Sequence, residues 1–141
     1  MVDDSVVPIL VSQLPTGSID ALAGADILAN VGVYISGDKT VTAIGAAETE
    51  ANLKKTLGIT LEPFKYGYDN VVPVKTKYSR VIKMIAGGTV TAGQDVKYED
   101  GVGALANQVI PWVDSADTSN EIVGRAWTGG ADTEEILVLV E

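Results

Sequence analysis

Histidine and cysteine are both missing from the 141 residues. Their absence removes disulfides, thiolate nucleophiles, Cys/His zinc sites, haem ligation through either residue and every catalytic triad that needs an imidazole. Large aromatic and flexible apolar side chains are scarce, with one Phe, two Trp and two Met. Basic residues are outnumbered, 10 Lys+Arg against 19 Asp+Glu, for a formal net charge of -9. A phosphate backbone would be repelled by that charge, and the counterion-release term behind non-specific nucleic-acid binding would be lost. None of the 10 basic residues falls in the first 38 positions, and no apolar run approaches the roughly 18 to 20 residues of a membrane-spanning helix. These absences set an expectation: a soluble chain, cytoplasmic at synthesis, without catalytic residues, cofactor, metal, nucleic-acid partner or membrane partner.

What is present favours strands. Val, Ile and Thr together supply 42 residues and Gly 15, a composition suited to pleated surfaces broken by turns. With 46% hydrophobic residues, the chain is long enough to bury the core of one domain or of two small fused halves. Alternation and turn residues predict strands over 6–11, 31–35, 40–44, 71–77, 80–85, 95–99, 121–128 and 135–140. Residues 46–57 read as a helix: Ala46, Leu53 and Leu57 share a face, Glu50 stands four residues before Lys54, and Gly58 supplies a stop. A second helical pattern over 19–28 is interrupted by Gly24 and contradicted by an internal repeat.

That repeat sets Leu22-Ala23-Gly24-Ala25-Asp26-Ile27-Leu28-Ala29 against Ile85-Ala86-Gly87-Gly88-Thr89-Val90-Thr91-Ala92 at an offset of 63. Leu57-Gly58 pairs with Val123-Gly124 at 66, and Asn70-Val71-Val72 with Glu135-Ile136-Leu137 at 65. A near-constant offset predicts two copies of one strand-turn unit. The expected fold is therefore mainly β: a compact small β-barrel from two pseudo-repeated halves, about 20–75 and 83–141, with one short helix in the first-half insert. Residues 19–141 would form a single β-rich domain, and 1–18 an extended arm or edge strand.

Motifs with catalytic or ligand-binding overtones fail on mechanics. Gly32-Val33-Tyr34-Ile35-Ser36-Gly37-Asp38-Lys39-Thr40 comes within one residue of a phosphate-binding loop. Asp38 intervenes before the Lys and both flanks read as strand, so a hairpin turn is expected. Asp114, Asp117, Asn120 and Glu121 offer oxygen ligands without EF-hand spacing, and like Asp132, Glu134 and Glu135 they read as solvated turns. Trp127 is placed in the core, whereas Trp112, following Pro111 in a loop, is a candidate subunit-interface residue. The segment Val6-Val7-Pro8-Ile9-Leu10-Val11 is apolar on both faces, and Pro8 confines it to a sheet edge or an extended arm. Two readings stay open: an arm adding a strand to a partner's sheet, or a strand of the chain's own barrel. Charge is partitioned as well, with 0 basic and 5 acidic residues over 1–38, 8 and 4 over 39–83, and 2 and 10 over 84–141. Such polarity suits either head-to-tail contact between copies or a solvated face.

The phrases Ala86-Gly87-Gly88-Thr89-Val90-Thr91-Ala92-Gly93-Gln94-Asp95-Val96-Lys97, Glu121-Ile122-Val123-Gly124-Arg125-Ala126 and Glu134-Glu135-Ile136-Leu137-Val138-Leu139-Val140 occur in that order. They resemble the capsid cement, or head decoration, proteins of tailed bacteriophages, which are similar in turn to the lambda-type decoration proteins. The resemblance implies a non-enzymatic virion protein on the outer capsid surface, held as a homotrimer at three-fold positions. Its partners would be the major capsid protein and itself, with Val6 to Val11 as the capsid arm. Two other classes compete: a different virion component, such as a fibre base or tail element, and a small β-barrel ligand-binding or enzyme module.

Overall fold

The computed structural model describes residues 9–14, 17–100, 107–113 and 117–141, with only the backbone of 9–13. Strand β1 (Ile9–Gln13) precedes a first half built from β2 (Ser18–Ala23), β3 (Gly32–Gly37), β4 (Thr40–Ala43), helix α1 (Glu50–Leu53), β5 (Thr56–Thr60) and β6 (Val72–Thr76). A second half follows with β7 (Arg80–Ala86), β8 (Asp95–Tyr98), β9 (Gln108–Pro111), a 3-10 turn at Ser119–Glu121, β10 (Ile122–Ala126) and β11 (Glu135–Val140).

Each half closes a five-stranded barrel. In the first the ring runs β2-β4-β3-β5-β6, with β2 parallel to β4 (Leu22 opposite Thr40) and antiparallel to β6 (Ile19 opposite Val74). In the second it runs β7-β9-β8-β10-β11, with β7 parallel to β9 (Ile85 opposite Gln108) and antiparallel to β11. The topology is the same strand for strand. Strand β1 is the addition, lying antiparallel along the start of β7 with Ile9 opposite Lys83 and Gln13 opposite Arg80.

The repeat extends to backbone detail. Left-handed φ values recur at Asn30 (61°) and Gly93 (91°), at Lys39 (53°) and Asn107 (61°), and at Gly67 (86°) and Thr133 (73°). Isolated bridges join Ile27 to Phe64 and Val90 to Gly130. Gly58 and Gly124 occupy the same place beside a register shift, on β5 and β10. A Cβ at Gly58 would run into the Lys75 carbonyl, and one at Gly124 into the Leu139 carbonyl. Glycine is the residue that allows so close an approach of two backbones.

Two cores result. The second barrel encloses Met84, Ala86, Val96, Ile136 and Val138. The first encloses Ile19, Ala21, Val33, Ile35, Val41, Val72 and Val74, and its cluster continues into Val81, Ala92, Trp127 and Leu139 from the second half. Strand β11 thus serves both: Ile136 and Val138 face its own barrel, while Leu139 faces the neighbour. Trp127 is 3% exposed. Polar contacts fix the docking, since Lys39 N–H donates to the Trp127 carbonyl (2.9 Å), Gly129 N–H to Asp38 Oδ1 (2.8 Å) and Arg125 Nη1 to the Thr56 carbonyl (2.7 Å).

The mainly β class, the repeated halves and the short helix in the first half agree with the sequence reading. The helix is shorter than 46–57, because its C-terminal part is β5, where Leu57 is buried in the barrel. Residues 19–28 open with β2 rather than a helix, and the near-phosphate-loop is the β3–β4 hairpin. Between β8 and β10 the chain forms β9, which closes the second barrel.

A cationic groove between the barrels

Where the two barrels meet, their outer walls leave a groove of about 780 Å³, continuous through Lys54, Asp95 and Trp112 with a neighbouring hollow of about 570 Å³. Its first wall comes from α1 and β5. Thr49 caps the helix, accepting from Asn52 N–H at 3.3 Å. Glu48 braces the turn by accepting from Asn52 Nδ2 (2.8 Å) and Gly45 N–H (3.0 Å), and these bonds hold its carboxyl below the ordinary range. After one turn the chain enters β5, so Leu53 and Ile59 are left about half exposed on the groove side.

The opposite wall belongs to the second barrel: Asp95, Trp112, Ile122 and Arg125. Arg125 Nε donates to Asp95 Oδ1 at 3.0 Å, and its Nη1 bond to Thr56 ties the wall to β5. Trp112 is half-buried; its backbone N–H donates to the Asp95 carbonyl (2.8 Å) and its indole Nε1 to the Thr118 carbonyl (2.7 Å). Its polar edge is thereby satisfied while the ring lines the groove. Lys54, Lys55, Lys75, Lys77 and Arg125 surround this space, half of the chain's 10 basic residues, against Glu50 and Asp95. In a chain of net charge -9, the groove is locally cationic with an apolar floor.

The acidic stretch weighed as cation ligands has a structural task. Asp117 Oδ1 accepts from Lys97 Nζ at 2.6 Å, and its other oxygen accepts from Val113 N–H at 2.8 Å. Glu121 stands 3.5 Å and Asp100 3.7 Å from the same ammonium. The Asp117 hydrogen bond holds the Lys97 ammonium above the ordinary lysine range, and Lys97 in turn holds the Asp117 carboxyl below its own. Asp114 lies outside the described residues. Asp132 and Glu134 are exposed on the β10–β11 loop, and Glu135, exposed at the start of β11, stands 3.6 Å from Lys83 Nζ.

Of the proposed capsid arm, Ile9, Leu10 and Val11 belong to β1, paired with β7, while Val6, Val7 and Pro8 lie outside the described residues. Trp127 is in the core as expected, one residue past the end of β10. A second exposed surface lies on the β5–β6 loop, which shows Tyr66 (60% exposed) and Tyr68 (82%). The loop is held by Tyr66 N–H donating to Asp26 Oδ1 (2.7 Å) and Lys65 N–H to Asp69 Oδ2 (2.8 Å). Its signal was the run Phe64, Tyr66 and Tyr68, three of the chain's eight large aromatics within five residues.

No protein-family model and no curated protein matches the chain. Among solved structures, the chain is similar to the N base of the head fiber gp8.5 of bacteriophage phi29, with 13% identity over 88% of this chain and 92% of that one and a TM-score of 0.36.

Proposed function

We propose that the chain is a non-enzymatic structural component of a tailed-phage virion, attached to the outer surface of the head, where it stabilises the shell by binding. The observation that carries this reading is where the decoration-protein phrases fall: 86–97 spans the end of β7, the turn and most of β8, 121–126 contains β10, and 134–140 contains β11. The resemblance therefore covers successive walls of one closed barrel instead of scattered glycines.

A protein that binds only the assembled shell stabilises that state by mass action. A contact of about 1 mM is worth roughly 4 kcal/mol, and three such contacts in a trimer gain about a hundred- to ten-thousand-fold in avidity. Residues Val6 to Val11 remain the proposed capsid contact, and Trp112 in its groove the proposed subunit contact. The finer alternative is a fibre base on the same head, the role printed in the name of the phi29 structure; that likeness does not decide between the two. Co-sedimentation with undecorated heads, followed by electron microscopy of the particles, tests both. A cement protein is expected on the lattice at many equivalent positions and raises the temperature at which heads rupture. A fibre base occupies sparse positions beneath a projection and leaves rupture unchanged. Failure to bind heads at saturating concentration overturns the reading.

A further inference from the structure

Because the two barrels share one topology, each side of the joint between them has a twin elsewhere in the molecule. The second barrel meets the first with the outer wall of β7, β11 and β10. On that wall Trp127 N–H donates to the Leu137 carbonyl (2.8 Å), Leu137 lies opposite Lys83, and Leu137, Leu139 and Trp127 pack into the first barrel's cluster. The same wall of the first barrel is β2, β6 and β5. There Leu61 N–H donates to the Pro73 carbonyl (2.9 Å) and Pro73 lies opposite Asp20, so Leu61 stands where Trp127 does and Pro73 where Leu137 does. Yet Trp127 is 3% exposed and Leu61 48%. Leu22 and Val71, each next to a residue buried in the barrel and themselves nearly half exposed, extend this bare apolar face.

The covering side has a twin as well. In the first barrel it is the end that carries Ile35 and Leu57, where Lys39 N–H reaches the Trp127 carbonyl. In the second barrel Val96 lies opposite Gly124 as Val33 lies opposite Gly58, and Tyr98 opposite Val109 as Ile35 lies opposite Val41. Tyr98, Val123 and Asn107 thereby take the places of Ile35, Leu57 and Lys39. Ile35 and Leu57 are buried, whereas Tyr98 and Val123 are only partly so. One wall and one barrel end, complementary in kind, are thus left over at opposite halves of the chain.

We infer that the bare wall is covered by a second copy of this chain, whose second barrel sets Tyr98 and Val123 over Leu61, Pro73, Val71 and Leu22. The contact repeats between molecules the one that joins the two barrels within a molecule. Lys75 stands where Leu139 does, so the copy-to-copy contact buries less apolar surface than the internal joint and is weaker and concentration-dependent. Wall and barrel end are different surfaces, so the contact is heterologous and propagates head to tail until a ring closes. This deepens the trimer reading by naming two faces, and it rests on that reading only for the number of copies in the ring. A chain that self-associates through this wall without binding heads would sink the virion role and leave the contact standing.

Sedimentation velocity on the full chain tests it. The unaltered chain is expected to self-associate at roughly 100 µM and to stay associated as salt rises, because the contact is apolar. Leu61→Glu, at an exposed position, should weaken association about tenfold or more. Leu61→Trp with Lys75→Leu gives the first wall the side chains of its twin and should strengthen association by about the same factor. Hydrogen exchange at low and high concentration locates the contact: protection should rise at residues 59–61 and 98–99 together. Thermal unfolding checks that the variants fold; if Leu61→Glu does not, the exchange measurement on the unaltered chain decides. Three results overturn the proposal: a monomer at this concentration, association that Leu61→Glu leaves intact while Trp112→Ala abolishes it, or concentration-dependent protection that misses either segment.

Discussion

Two residue pairs carry consequences out of proportion to their size. Gly58 and Gly124 sit where neighbouring strands come closest, so Gly58→Ala or Gly124→Ala forces a methyl group onto a carbonyl. Each should cost about 1–3 kcal/mol in urea unfolding, whereas Gly24→Ala, with open space around it, should cost far less. Lys97 and Asp117 form the second pair. Asp117 has its acidity strengthened by folding, so its contribution is present above its unfolded value near 3.8 and is lost as pH falls through the lower folded value. Lys97 is shifted up, so its share persists below its unfolded value near 10.5 and is lost as pH rises through the folded one. Asp117→Asn should therefore lower the unfolding temperature at neutral pH and flatten the acid limb of a stability profile. If the profile keeps its acid limb unchanged, the pair is not what stabilises the stretch between β8 and β10. The glycines were legible as repeat positions in the sequence. The pairing of Lys97 with a carboxylate 20 residues away was not, because nothing local distinguishes that lysine.

Among elements, β1 separates the readings of the N-terminal segment. Its backbone pairs with β7, and Leu14 just beyond it is buried. Removing residues 1–8 should leave thermal unfolding unchanged while weakening attachment to heads, whereas removing 1–14 should also lower stability. Loss of folding on removing 1–8 would show that the segment is part of the barrel. Strand legibility followed alternation and β-branching: β3, β4, β6, β7, β8, β10 and β11 were readable, but β2, β5 and β9 were not. In β2 the Ala residues and Asp20 weaken the β signal. Strand β5 follows Glu50 and Lys54, whose helical spacing extends the apparent helix through Leu57. In β9 only four residues, ending in Pro111, are ordered into the sheet. With one or two strands of each half unread, neither half had enough strands to close alone, so a single shared barrel was the natural expectation.

For the whole molecule, the decisive interface is the one between barrels. Trp127 fills it from the second half, and Trp127→Ala should cost about 3–5 kcal/mol. The loss should appear as a single broadened transition or as two separate ones in calorimetry; a transition unchanged in midpoint would mean that the barrels do not rely on each other. The candidate groove exists only because of this docking, which explains why the sequence singled out Trp112 but not Leu53, Ile59 or the lysines opposite: they are 35 or more residues from it along the chain. Sharing β11 between the cores has a further effect during biosynthesis. Trp127 and Leu139 can cover the first barrel only after the second has been translated, so the early half leaves the ribosome with the apolar face that they pack against still open. Any assembly contact that needs both barrels is thereby withheld from nascent, incomplete chains.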